Sequence, residues 1–151
     1  MEELTAYKER HGNSARLTLM EAQLLLQLDQ LDRTIALLEE GIETYPDNRL
    51  MRFNFGRILV QVGRLEEARV QFQQLAQMEP DDYETLYSLA LLELELDSLD
   101  AARSYLIRIL NAGVRMNESH YYLGYIDENQ GRAAEAIDHY LQVGTEFTNF
   151  L

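Results

Sequence analysis

The chain has 151 residues, a formal net charge of −13 and a pI near 4.5. That excess of carboxylates opposes binding to a nucleic-acid backbone and adsorption to an anionic membrane surface, both of which recruit Lys and Arg. With no cysteine, disulfides and thiolate metal sites are excluded, and 46% hydrophobic residues with only two prolines and eight glycines indicate a packed core.

Lys8 is the sole lysine among thirteen basic residues, so there is no polybasic tract. No signal peptide and no run apolar enough to insert directly into a membrane is present. A period of 34 residues organises the chain: Gly56 falls on Ala90 and Gly124, Ala68 on Ala102 and Ala136, Phe72 on Leu106 and Tyr140, and Pro46 on Pro80. Recurrence of residue classes at this spacing marks an array of helix-turn-helix repeats.

In chain order, residues 1–14 read as the second half of a preceding repeat, with Leu4 and Tyr7 packing and Gly12-Asn13-Ser14 as a stop and polar turn. A partial first repeat and no polar closing helix lead us to expect a fragment of a longer array rather than a small protein with a lone N-terminal helix, and the Arg-rich, cysteine-free composition suggests a bacterial one. Repeat one spans 15–48, with helices over Ala15–Leu28 and Leu31–Thr44 and Asp29-Gln30 between them. Leu17, Leu24, Leu25 and Leu28 give it three-to-four spacing. Repeat two spans 49–82, with helices over Asn48–Val62 and Leu65–Met78 around Gly63, and Pro80 closing it. Gly56 and Ala68 are expected to be small so that the paired helices approach closely.

Repeat three spans 83–116, with helices over Asp82–Leu96 and Leu99–Ala112. Asp97-Ser98 replaces the glycine turn, and Asn111, Ala112 and Gly113 supply the stop where Val114 replaces proline. Repeat four spans 117–151, with helices over Asn117–Gln130 and Ala133–Phe147 around Gly131. Glu93 and Asp127 stand 34 residues apart where a large apolar residue is expected. Each must be partly exposed or hold a basic or hydrogen-bonding partner.

Phe55, Gly56, Leu59, Ala68, Phe72, Leu75 and Pro80 together resemble the tetratricopeptide repeat. The resemblance covers nearly the whole chain and implies an all-α fold, an antiparallel helix-pair α-solenoid with a right-handed superhelical twist. These residues describe packing, so the resemblance speaks for fold more than for function.

Catalytic motifs are lacking: no G-x-S-x-G elbow, no phosphate-binding loop and no cysteine nucleophile. Carboxylate groups such as Glu39-Glu40 and Glu66-Glu67 read as solvated faces. Glu79-Pro80-Asp81-Asp82-Tyr83-Glu84 reads as a turn feeding a helix N-terminus, because it lacks the ligand pattern and central glycine of a calcium loop. His11, His120 and His139 form no pair at helical ligand spacing, and His120 reads as packed between helices. No catalytic, metal or cofactor site is therefore expected, and the chain reads as a non-enzyme.

By the resemblance, the first helices of the repeats line a concave groove. Its lining is Leu19, Met20 and Gln23; Phe53, Asn54 and Arg57; Tyr87, Ser88 and Leu91; and Tyr121, Tyr122 and Tyr125. Arg16, Leu50, Glu84 and Glu118 recur at the margin. Tyrosines pair large contact area with a polar tip and suit peptide recognition, so the cluster Tyr121, Tyr122 and Tyr125 reads as a binding surface. A clamp for a partner's C-terminal carboxylate, as in the family's chaperone-binding members, retains only Asn54. Leu19, Phe53 or Tyr87 and then Glu84 or Glu118 replace its basic residues.

The expected function is a protein-interaction scaffold whose groove takes a partner peptide or helix, apolar with basic flanks to suit the net charge. The alternatives are self-association into homo-oligomers by stacking through open ends, and recruitment of substrates to a larger enzyme or protease complex. Cytoplasm and periplasm fit the residues equally.

Overall fold

The computed structural model describes residue 3 and residues 14–144. Of the half-helix expected over residues 1–11, only Glu3 is described, and it is helical. The stop expected at Gly12-Asn13, and His11, lie outside the described residues. The chain divides into two compact units, Met1–Leu75 and Ala76–Leu151. Among the described residues the structure is helical throughout: α1 (Ala15–Gln27), α2 (Leu31–Thr44), α3 (Arg49–Gln61), α4 (Leu65–Met78), α5 (Tyr83–Glu95), α6 (Leu99–Asn111), α7 (Met116–Asn129) and α8 (Ala133–Gln142). The fold is of the all-α, helix-pair solenoid class.

The turn within each helix pair repeats in its backbone as well as its sequence. Asp29, Gly63, Asp97 and Gly131 lie 34 residues apart and all adopt positive φ, between 55° and 76°. After each, the next amide returns to the carbonyl five residues back: Gln30 to Leu25, Arg64 to Leu59, Ser98 to Glu93 and Arg132 to Asp127, at 2.7–2.9 Å. This is the Schellman ending, in which a left-handed residue lets the last carbonyls find donors. Asp29 and Asp97 therefore make the same turn as the glycines, at the steric cost that a Cβ brings to that conformation.

The helix starts recur too. Ser14, Asn48 and Asp82 cap α1, α3 and α5 through their side chains, and Asn48 accepts from the Met51 amide at 2.9 Å. Met116 holds the next place in the series and cannot cap. There α7 starts one residue earlier than expected, after Arg115 in the left-handed region (φ 46°). The final helix, expected to reach Phe147, ends at Gln142. Val143 turns extended, and the Gly144 amide donates to Asn117 Oδ1 at 3.1 Å. Residues 145–147 lie outside the described residues.

In the first unit the core is Ala22, Leu25, Ile35, Leu38, Met51, Phe55, Ile58, Leu59, Ala68, Phe72 and Leu75. Gly56 is small because the Phe72 ring covers it. A Cβ there would lie 2.8 Å from Phe72 Cε1, so side chain rather than backbone makes the close approach. Gly41, which the sequence did not single out, is held the same way, 2.6 Å from Met51 Sδ.

In the second unit Gly124 repeats the device beneath Tyr140, at 2.6 Å. Ala90 and Leu106 occupy the same two places, a larger residue facing a smaller one, within a cluster that includes Ala102, Leu123 and Ile126. Burial of such apolar side chains contributes about 1.5–3 kcal/mol each for the large ones.

Candidate interaction site

Each unit presents the first-helix face differently. In the first unit, α1 and α3 place Leu19, Met20, Gln23, Asn54 and Arg57 around a cleft of about 660 Å³. Leu26, Leu50 and Val60 extend its apolar wall, and Ala22, Leu38 and Ile58 form buried floor. Met20 is 46% exposed and Leu50 62% exposed, so the wall is open to solvent. Among the described residues the polar lining is Arg16, Arg57, Gln23, Asn54 and Gln61, without a carboxylate. Phe53 turns away from this cleft, and its ring packs on Phe72 with centroids 5.6 Å apart.

The second unit fills the same face with itself. Tyr87 meets Tyr122 at 6.3 Å, Tyr122 meets Tyr121 edge-on at 5.2 Å, and Tyr121 meets Tyr140 at 6.2 Å. The Arg115 guanidinium lies 4.4 Å above the Tyr87 ring and pairs with Glu84 at 2.6 Å and Glu118 at 3.4 Å. Burial, followed by the neighbouring Tyr122, pushes the Tyr87 phenol above its ordinary range. Burial and the hydrogen bond to Glu128 raise the Tyr140 phenol to about 12. Ser88 gives its hydroxyl to the Glu84 carbonyl at 2.9 Å, and Leu91 is half-buried. Tyr125, at 43% exposed, is the member of the tyrosine cluster that faces solvent.

Glu93 and Asp127 are both buried. For Asp127 the partners are basic: Arg103 and Arg132 both donate to Oδ1, Arg132 Nε at 2.7 Å. Burial pushes this carboxyl up, but Arg132 and Arg103 outweigh it and hold it below the usual carboxylate range. The two histidines in the described residues also meet, His120 Nδ1 lying 2.9 Å from His139 Nδ1. Burial, then the neighbouring His139, holds His120 below the usual histidine range. Their sequence separation of 19 is no helical ligand spacing. Arg52 and Gln71, bonded at 2.8 Å, hold the same two places two periods earlier, an alignment that only the structure reveals. Likewise Leu26 and Val60 share a phase on α1 and α3 that the reading of the groove did not carry through to named residues.

A family model described as Tetratricopeptide repeat matches residues 19–84, 53–112 and 87–144. No curated protein matches the chain. Among solved structures, MamA AMB-1 is 24% identical, with 85% of this chain and 76% of that chain covered and a TM-score of 0.75. MamA from Desulfovibrio magneticus RS-1 is 14% identical, with 92% and 78% covered and a TM-score of 0.79. At these identities the likeness is one of fold.

Proposed function

The chain belongs to the tetratricopeptide repeat family, and we propose that it is a non-catalytic protein-interaction scaffold whose first unit receives an apolar segment of a partner. The observation that carries this reading is the cleft between α1 and α3, with solvent-open Met20 and Leu50 beside Arg16 and Arg57. An apolar wall with a few convergent polar groups is the form binding sites take. The contacts on this reading are Leu19, Met20, Gln23, Asn54 and Arg57, with Leu50 and Leu26 added. Phe53, Tyr87, Tyr121 and Tyr122 serve packing, and Tyr125 remains available as a contact.

Charge refines the partner. The net charge of −13 favours basic flanks over the molecule as a whole. The described lining of the cleft is locally basic, so the segment seated in it carries a carboxylate beside its apolar residues. The test compares capture by the full chain, by a Met20→Asp, Leu50→Asp variant, and by a Tyr121→Ala, Tyr122→Ala, Tyr125→Ala variant, each checked for helicity. A partner retained by the tyrosine variant and lost by the cleft variant is the expected result. The same partner on all three folded proteins would overturn this reading.

Self-association is a second reading, favoured by α8. Ile137 and Leu141 lie one turn apart there, 57% and 76% exposed. Ile137→Glu would abolish concentration-dependent mass in sedimentation if that face joins copies of the chain.

A further inference from the structure

We propose that His120 and His139 form a two-histidine site for a divalent transition-metal ion with right-angled ligand positions, copper(II) or nickel(II). The site rests on the geometry of three side chains in the second unit. His120 projects from α7 and His139 from α8, and their Nδ1 atoms stand 2.9 Å apart. Imidazole nitrogens bind such metals at about 2.0–2.1 Å, and two bonds of that length to atoms so placed subtend about 90°. That is the angle between neighbouring ligands in square-planar or tetragonal geometry, which copper(II) and nickel(II) adopt. A tetrahedral zinc centre would separate the nitrogens by about 3.3 Å at the same bond length.

The repeat itself supplies the placement. Two periods earlier Arg52 and Gln71 make a direct bond from the same two places, so another helix pair of the array also brings its side chains together there.

Asp127 stands behind the ligand, at ion-pair rather than hydrogen-bond distance. Its Oδ1 is taken by Arg103 and Arg132. Its Oδ2 is buried with no hydrogen-bond partner among the described residues and lies 3.7 Å from His139 Nε2. A carboxylate behind a metal-bound histidine holds the proton on the far nitrogen and turns the near nitrogen's lone pair to the metal. With the His139 proton on Nε2, His120 Nδ1–H is the donor in the metal-free pair. The ion takes both Nδ1 lone pairs, and the His120 proton moves to its own Nε2, leaving both rings neutral.

Among the described residues no group of three or more His, Cys, Asp or Glu side chains is placed to hold a metal ion. Two protein ligands and water therefore complete the shell, and both rings are half-buried, so water reaches them.

The test is calorimetric titration of the full chain with Cu²⁺, Ni²⁺ and Zn²⁺, with electron paramagnetic resonance of the copper form. The expected result is one Cu²⁺ per chain, with hyperfine structure from two imidazole nitrogens and Ni²⁺ bound more tightly than Zn²⁺. His120→Ala and His139→Ala should each weaken Cu²⁺ at least tenfold, and His11→Ala should leave it unchanged. His139→Gln, confirmed folded by circular dichroism, guards against loss through unfolding. Wild-type copper affinity in that folded variant, loss in His11→Ala, or Zn²⁺ bound more tightly than Ni²⁺ would overturn the proposal.

Discussion

The two units carry the same helix-pair pattern and use its first-helix face in opposite ways. In the first, small and amide side chains between Leu19, Met20 and Leu50 leave a cleft. In the second, Tyr87, Tyr121, Tyr122 and Tyr140 lean on one another, and Arg115 closes over Tyr87. Aromatic rings in such pairs attract one another by about 0.5–1.5 kcal/mol per pair beyond the area buried. A run of tyrosines at groove phases thus stabilises the repeat, whereas the less conspicuous face stays open.

The largest effect that would sharpen this contrast lies at Asp127, which the second unit buries where the first has Leu59. Asp127→Ala should cost about 1.5–3 kcal/mol in urea unfolding, the range for hydrogen bonds to a charged group. Asp127→Leu, which restores the apolar residue of the first unit, should be near neutral or stabilising, because a buried ion pair rarely outperforms a packed hydrophobe. The carboxyl's lowered value gives a pH signature. Its contribution is present above the ordinary carboxylate range and is lost as pH falls through the lowered folded value. Unfolding midpoints at pH 7 and in acid should therefore differ more for the wild type than for Asp127→Asn.

Next in size is the exchange of large and small residues across the helix pair. Gly56→Ala drives a Cβ to 2.8 Å from the Phe72 ring and should cost about 1–3 kcal/mol. Adding Phe72→Leu copies the Ala90 and Leu106 pairing of the second unit and should recover part of that loss, measured as a double-mutant cycle. Additive losses would show that the two places do not compensate.

The smallest effects lie in the turns. Gly63→Ala at φ 76° should destabilise by about 1 kcal/mol, although nothing lies within 4 Å of the added Cβ, because the cost is in the backbone. Asp97→Gly at φ 55° should stabilise by about 0.5–1 kcal/mol. Equal and opposite shifts in thermal midpoint would confirm that both turns share one conformation.

The period was legible because it is written in side chains that every helix pair needs: Gly56 against Phe72, Ala68 and the turn at Gly63. Helix starts at Ser14, Asn48 and Asp82 and the Asp29 and Asp97 turns follow the same phase. Sequence phase names the face a residue occupies, but not whether a neighbour fills it. Tyr121 and Met20 share the groove in the sequence, and only packing separates them. The Asp127 alternatives stood open because Arg103 comes from another helix pair. The His120–His139 pair was hidden because it joins two helices through space. The early end of α8 is accompanied by a bond from the Gly144 amide to Asn117, far away in sequence.

The most direct test of the central claim places a photo-crosslinking amino acid at Leu50 and, in a second protein, at Tyr125. The account predicts that partner protein is crosslinked strongly from Leu50 and weakly or not at all from Tyr125, and that Met20→Asp suppresses the Leu50 adduct. Strong adducts from Tyr125 with none from Leu50 would contradict it and move the docking face to the second unit.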